Sequence, residues 1–117
     1  MIRDDTVYLR DILDAIAQIG TYLQGISSDE FLQTRLLQDG VVRQLEIIGE
    51  ASCNVSEGLR QSHPEVPWRQ IIGLRNRIIH TYHMVNLPIV WEVVQNDLPA
   101  LKEYVTSILA QAVVSPP

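Results

Sequence analysis

The sequence predicts an all-α domain built as an up-and-down bundle of four to five helices. Its apolar residues recur at the spacing of about 3.6 residues that is typical of amphipathic helices, and no strand-like alternation appears. Glycines and prolines separate the periodic segments. A chain of 117 residues can bury one core but is too short for two domains. We therefore expect one domain over residues 1–112 and a disordered tail over residues 113–117.

The first part of the chain predicts three helical segments. The first runs from about Asp5 to Leu23 and stops at Gly25, and the second is short and begins near Asp29. A long central helix covers residues 34–57, where Gly40 weakens the start and allows a break. Apolar stripes face inward from the first and central helices: Leu9, Ile12, Leu13, Ile16, Ile19, Gly20 and Leu23 in one, and Leu37, Val41, Leu45, Ile48, Ser52 and Val55 in the other.

The second part of the chain predicts two more helices after a proline-containing loop. Gly58 ends the central helix, and Pro67 stands at the first turn of a helix that runs from Trp68 to about His83. The last helix has Asn86 as its N-cap and Pro88 in its first turn. Pro99 should kink or split it near Asp97. Its inward stripe contains Val90, Val94, Leu101, Val105 and Ile108.

Composition narrows the classes of partner. The formal charge of −5 argues against a broad basic surface for nucleic acid, but residues 60–83 hold four arginines and one glutamate, which leaves +3 there and −8 elsewhere. Such a focused cationic site suits a phosphate. Apolar runs are too short for a membrane span, and the single Cys53 excludes a disulfide framework or a thiolate metal cage. We expect a cytoplasmic protein with no cofactor and no bound metal.

The helix that begins at Trp68 carries an unusual group of polar side chains. Steps of about 100° per residue place Arg75 in the middle of its apolar face, with Tyr82 nearly in line seven residues later. Asn76, His80 and His83 form a second stripe beside the first. The pattern predicts that Arg75, Asn76, His80 and Tyr82 lie together along the edge of the buried face.

Each of these residues also has a structural explanation. Arg75 can pair with an acid such as Glu50, or lay its stem on the bundle and extend its charged end to the surface. His80 can act as a favourable charge near a helix C-terminus, and Tyr82 can be a core ring. Taken together, an imidazole that transfers protons near neutral pH and an arginine that binds phosphate fit RNA cleavage without a metal. One helix supplies a single well-placed imidazole, so we expect a homodimer with the cleft at its interface.

The segment from Arg75 to Tyr82 resembles the Arg-x-x-x-x-His-x-Tyr signature of HepT-like toxins in the HEPN superfamily. The flanking segments 46–51, 64–68, 90–91 and 98–101 also resemble that family, in the same order. The resemblance implies an all-α dimer that acts as a metal-independent endoribonuclease. By position in the motif, Arg75 and His80 would be catalytic and Asn76 would shape the site.

The resemblance further implies a toxin of a HepT–MntA-type toxin–antitoxin pair that cuts tRNA or mRNA. The partner would be a minimal nucleotidyltransferase antitoxin that transfers AMP to Tyr82. Two alternatives stay open. The chain could be a non-catalytic subunit that binds a nucleotide or the nucleotidyltransferase, as its acidity and scarcity of lysine favour. It could also be a dimerisation domain with a satisfied core arginine.

Overall fold

The computed structural model describes residues 4–79 and 84–114, and the part it describes is an all-α fold, as predicted. Within those residues the extended pairing is confined to an isolated antiparallel bridge between Ile79 and Val85. The helices are α1 (Asp5–Tyr22), α2 (Ser28–Gln33), α3 (Arg35–Asn54), α4 (Glu57–Ser62), α5 (Trp68–Ile72), α6 (Leu74–Ile78), α7 (Leu87–Glu92) and α8 (Leu98–Val114), with a π-helical turn (Val93–Asp97) between α7 and α8.

The long helices α1, α3 and α8 form the scaffold of the domain. Helix α1 packs against both α3 and α8, and the inward stripes predicted for α1 and α3 supply much of the core. The only polar residue buried among the described residues is Ser52 on α3, whose hydroxyl donates to the Ile48 carbonyl oxygen at 2.8 Å. That bond satisfies the hydroxyl inside the core, so a serine is tolerated in an otherwise apolar stripe.

Helix α2 begins at a side-chain cap made by residues close together in the chain. The Ser27 hydroxyl oxygen accepts from the Glu30 backbone amide at 3.1 Å, which makes Ser27 the N-cap, and the hydroxyl donates to the Glu30 carboxylate at 3.4 Å. One turn later the fully buried ring of Phe31 packs against Trp91 of α7, with ring centroids 5.4 Å apart. Helix α2 therefore packs against α7 near the end of that helix.

The predicted end of the central helix is wrong. Helix α3 passes through Gly40 without a break, and it ends at Asn54 rather than near Gly58. The chain turns early because the backbone amide and hydroxyl of Ser56 both donate to the Asp5 carboxylate of α1, at 2.8 and 2.6 Å. Ser56 then caps a separate helix, α4, which contains Gly58. A contact between distant parts of the chain thus overrides the local glycine signal.

The last two helices follow the prediction. The Asn86 side chain accepts from the Ile89 amide at 3.2 Å, which confirms it as the N-cap of α7. The predicted disturbance near Asp97 is the π-helical turn, because Pro99 has no amide hydrogen to continue the α-helical ladder. Helix α8 reaches Val114, two residues into the predicted tail, and residues 115–117 lie outside the described part of the chain.

In the described part of the chain, no helix combines the length and the apolar character that crossing a bilayer demands.

Candidate functional site

Helices α5 and α6 carry the described residues of the predicted site. Trp68 and Ile71 of α5 and Leu74 and Ile78 of α6 are buried and hold both helices against the core. The loop before them is fixed by the Trp68 indole N–H, which donates to the His63 carbonyl oxygen at 3.0 Å. The side chains of Arg75, Asn76 and Arg77 are exposed between these anchors. The site helix thus presents three consecutive polar side chains to solvent.

The expectation that Arg75 lies in the middle of the buried face is wrong. Gly73 separates α5 from α6 and has a ψ of 8°, whereas an α-helix has a ψ of about −42°. This rotation breaks the register, so Leu74 takes the buried position and Arg75 turns outward. The glycine also fits tightly, since a Cβ at residue 73 would lie 3.2 Å from the Arg69 carbonyl oxygen. The outward turn makes the guanidinium accessible to a ligand.

An arginine held in the core by Glu50 is also contradicted. Both side chains are exposed, and Arg75 makes no hydrogen bond or ion pair in the part of the chain that the structure describes. A guanidinium keeps its charge at any physiological pH and presents five N–H donors. Arg75 is therefore free to bind an anion.

The predicted continuation of this helix to His83 is wrong as well. Helix α6 ends at Ile78, and Ile79 is extended, with φ −98° and ψ 121°. The Asn86 backbone N–H donates to the Ile78 carbonyl oxygen at 2.7 Å, and Ile79 pairs with Val85. The Ile78 side chain is fully buried. His80, Tyr82 and His83 lie outside the described residues, so their predicted roles stay predictions.

The other flank of α6 is occupied by an ion pair. The Arg77 guanidinium donates to the Asp97 carboxylate of the π-helical turn at 2.9 Å. Next to this pair lies a cavity of about 260 Å³ lined by α5, α6 and α8. Arg75 and Arg77 are two residues apart on a five-residue helix and therefore face opposite sides of it. Arg77 is held in place, whereas Arg75 is unpaired.

Two arginines outside the predicted site, Arg60 and Arg69, line an open groove between α4 and α5. The signal that could have found them is the excess of arginine over residues 60–83. Among the described residues, no group of three or more His, Cys, Asp or Glu side chains is arranged to hold a metal ion.

Comparisons with known proteins give the family. Residues 12–108 match the family described as "Ribonuclease HepT-like". The chain is 40% identical over 102 residues to "Probable ribonuclease HepT" of Thermococcus cleftensis, covering 87% of this chain and 93% of that protein. It is 39% identical over 102 residues to "Putative RNase TTE0752" of Caldanaerobacter subterraneus, covering 87% of this chain and 91% of that protein.

A longer relative matches over part of its length. The "Gamma-glutamylcyclotransferase and putative RNase MJ0434" of Methanocaldococcus jannaschii is 37% identical over 111 residues, covering 95% of this chain and 50% of that protein. No solved structure matches the chain. The match of the family over most of the chain, with the motif that begins at the exposed Arg75, shows that this chain belongs to the HepT-like ribonuclease family and is an RNA-cleaving enzyme.

Proposed function

We propose that the chain is a metal-independent endoribonuclease toxin in which Arg75 and His80 carry out cleavage. The observation that carries this proposal is Arg75 itself, which is exposed and unpaired among the described residues and begins the Arg-x-x-x-x-His-x-Tyr motif. A structural arginine would be expected to have an acidic partner, as Arg77 has in Asp97. The contrast between the two arginines supports a role for Arg75 in binding substrate.

The proposed reaction is an attack of the RNA on itself. The 2′-hydroxyl oxygen forms a bond to the adjacent phosphorus while the bond from phosphorus to the 5′-oxygen breaks, which leaves a 2′,3′-cyclic phosphate. An imidazole of His80 accepts the proton of the 2′-hydroxyl, and a proton is delivered to the departing 5′-oxygen. The Arg75 guanidinium holds the non-bridging oxygens, whose negative charge grows in the transition state.

This chemistry benefits from two acid–base groups, and each chain supplies one His80. A homodimer with a two-fold axis through the cleft would bring a second imidazole to the scissile phosphate. Arg75 is suited to such a cleft because it is exposed at the end of a short helix and lies outside the core. Asn76, the next exposed residue, would shape the floor of the site.

The proposed regulation acts through Tyr82. A cognate nucleotidyltransferase antitoxin would transfer AMP from ATP, so that the tyrosine oxygen bonds to the α-phosphorus, pyrophosphate leaves and the phenolic proton is lost. The added phosphodiester carries negative charge and lies only seven residues from the unpaired Arg75 in the chain. It would occupy the anion site and exclude RNA. The AMP group would therefore inhibit the toxin by occupying the place where a phosphate of the RNA substrate binds.

The test is cleavage of labelled tRNA and mRNA by purified protein in EDTA. Wild-type protein is expected to produce fragments with cyclic phosphate ends, whereas His80→Ala and Arg75→Ala are expected to be inactive and harmless when expressed in cells. Equal inactivity of all three proteins, together with equal harmlessness in cells, would reject the catalytic assignment. Treatment with the antitoxin and ATP should add AMP to wild type but not to Tyr82→Phe.

A second candidate is a non-catalytic subunit that binds a nucleotide or the nucleotidyltransferase. The net charge of −5 and the single lysine, Lys102, favour it, because affinity for RNA generally comes from several basic contacts. Under this alternative the isolated protein binds AMP, forms a stable complex with the nucleotidyltransferase and stays as toxic in the His80→Ala form as in the wild type. Loss of toxicity in His80→Ala would exclude it.

A further inference from the structure

The groove between α4 and α5, here called the arginine groove, lies close to the candidate site. It is open to solvent, has a volume of about 430 Å³, and is lined by Glu57, Arg60, Gln61, Trp68, Arg69 and Ile72. Arginine is well suited to phosphate because its planar donors match the phosphate oxygens. Two arginines with one apolar wall make a place where a nucleotide could bind.

Arg60 is the first reason to expect an anion in this groove. Its Nε is buried and has no hydrogen-bond partner, and the residue makes no ion pair in the described part of the chain. A buried N–H of a charged group without a partner is costly to folding. A phosphate bound in the groove would neutralise the charge of this guanidinium.

Arg69 is the second reason, because it is placed on the same side as Arg75. On α5, Ile72 and Arg69 lie on one flank of the buried pair Trp68 and Ile71. On α6, Arg75 lies on the corresponding flank of the buried Leu74 and Ile78. Arg69 precedes Arg75 by six residues, with the turn at Gly73 between them. One short strand of RNA could contact both arginines.

The opposite flank has a different character. A second groove there is lined by Arg69, Gln70, Gly73, Arg77 and Asp97, and its Arg77 is already neutralised by Asp97 at 2.9 Å. An anion at Arg77 would have to displace a carboxylate, whereas an anion in the arginine groove would not displace one from either arginine. Arg69 thus borders both grooves, and it is Arg60, Arg69 and Arg75 that make no ion pair among the described residues, whereas Arg77 does.

One acidic residue, Glu57, also lines the arginine groove. The Glu57 carboxylate accepts from the Gln61 amide at 3.2 Å, which holds it beside its neighbour one turn along α4. It makes no ion pair with either arginine of the groove among the described residues. A carboxylate near the path of a phosphate weakens binding, so its removal should strengthen binding.

We propose that the arginine groove binds a phosphate of the RNA strand that flanks the cleaved bond, with Arg60 and Arg69 as its ligands. The proposal deepens the function proposed above and rests on Arg75 being at the site of cleavage. The groove would give the enzyme a preference for RNA longer than a dinucleotide. It would also supply basic contacts that the acidic remainder of the chain does not offer.

The test measures binding of a fluorescein-labelled oligouridine to the His80→Ala protein by anisotropy over a range of salt concentrations. We expect Arg69→Gln and Arg60→Gln to raise Kd by about 3- to 10-fold and each to reduce the slope of log K against log salt by about 0.7, the value for one phosphate on a single strand. Glu57→Gln is expected to lower Kd. Melting of each variant by circular dichroism verifies folding, and Arg69→Gln decides the outcome if Arg60→Gln fails to fold.

Two arginines serve as matched controls. Arg77→Gln removes the same charge from the opposite flank, and Arg35→Gln removes it from α3, where Arg35 pairs with Asp39 at 3.0 Å. Both are expected to leave Kd and the salt slope unchanged. Equal weakening by Arg35→Gln, Arg77→Gln and Arg69→Gln would indicate a general effect of charge and overturn the groove. Unchanged binding by Arg69→Gln would overturn it as well.

A direct measurement of AMP binding distinguishes a free nucleotide from RNA as the source of the phosphate in the groove. AMP binding that depends on Arg69, together with oligouridine binding that does not, would assign the groove to a nucleotide and overturn the proposal for RNA. Because binding needs no turnover, the outcomes also separate the two proposals. Binding that depends on Arg69 without cleavage would reject the nuclease chemistry alone, whereas cleavage with binding independent of Arg69 would reject the groove alone.

Discussion

The scaffold of α1, α3 and α8 and the α5–α6 pair differ in how their residues are placed. In the scaffold, helices of 17 to 20 residues keep one face buried over several turns. In the α5–α6 pair, each helix has five residues and buries two side chains. Helix α6 exposes three consecutive polar side chains. The orientation of a long helix depends on packing over several turns, whereas the orientation of a short helix depends on the single junction that precedes it. The long helices therefore supply most of the stability, whereas the proposed site lies on the α5–α6 pair.

The sharpest test of this division is Arg75→Ala. We expect RNA cleavage to fall by about 100-fold or more, because one donor to a developing charge is lost. The free energy of unfolding should change by no more than about 0.5 kcal/mol, since the side chain is exposed and unpaired among the described residues. Cleavage assays and urea unfolding give the two values. A large loss of stability would show that the site and the scaffold are coupled.

The converse test is Phe31→Ala, in the core contact between α2 and α7. Phe31 is fully buried against Trp91, so its removal should lower the free energy of unfolding by about 3 to 5 kcal/mol. Leu32→Ala, at the next position of the same helix, is the control, because Leu32 is 40% exposed and should cost far less. Similar losses in the two variants, measured by urea unfolding, would contradict the assigned packing.

Gly49→Ala examines the junction between the two regions. A Cβ on Gly49 of α3 would lie 3.2 Å from the Ile71 carbonyl oxygen of α5, which is backbone and cannot move by rotating a side chain. We expect a net loss of about 1 kcal/mol in the free energy of unfolding, after the helix propensity gained by alanine is included. Gly58→Ala is the control, since nothing lies near its added Cβ, and it should be neutral or stabilising. A stabilising Gly49→Ala would show that α5 adjusts freely.

The smallest expected effect concerns the first turn of α1. Hydrogen bonding from the Thr6 amide to Asp4 lowers the pKa of the Asp4 carboxyl below its ordinary value. The stabilisation is therefore present above the unfolded pKa and is lost as the pH falls through the lower, folded pKa. Asp4→Asn keeps the cap without the charge. Thermal melting should show a slightly smaller decrease on acidification in Asp4→Asn than in wild type, and an equal decrease would assign the acid sensitivity to other groups.

The sequence alone determined the all-α class, the inward stripes of the long helices, the cap at Asn86, and the disturbance before Pro99. These features depend on hydrophobic periodicity, capping and proline chemistry, which act over a few residues. The motif from Arg75 to Tyr82 and the family were also readable from residues and spacing.

Tertiary structure decided what those local rules could not. The end of α3 depends on Ser56 meeting Asp5, which is 51 residues away in the chain. The outward direction of Arg75 depends on the backbone turn at Gly73, and the end of α6 depends on Asn86 binding Ile78. Periodicity assumes that a helix continues in register, but each of these features arises where a contact or a single backbone angle interrupts it. The same interruptions leave Arg75 exposed and unpaired among the described residues.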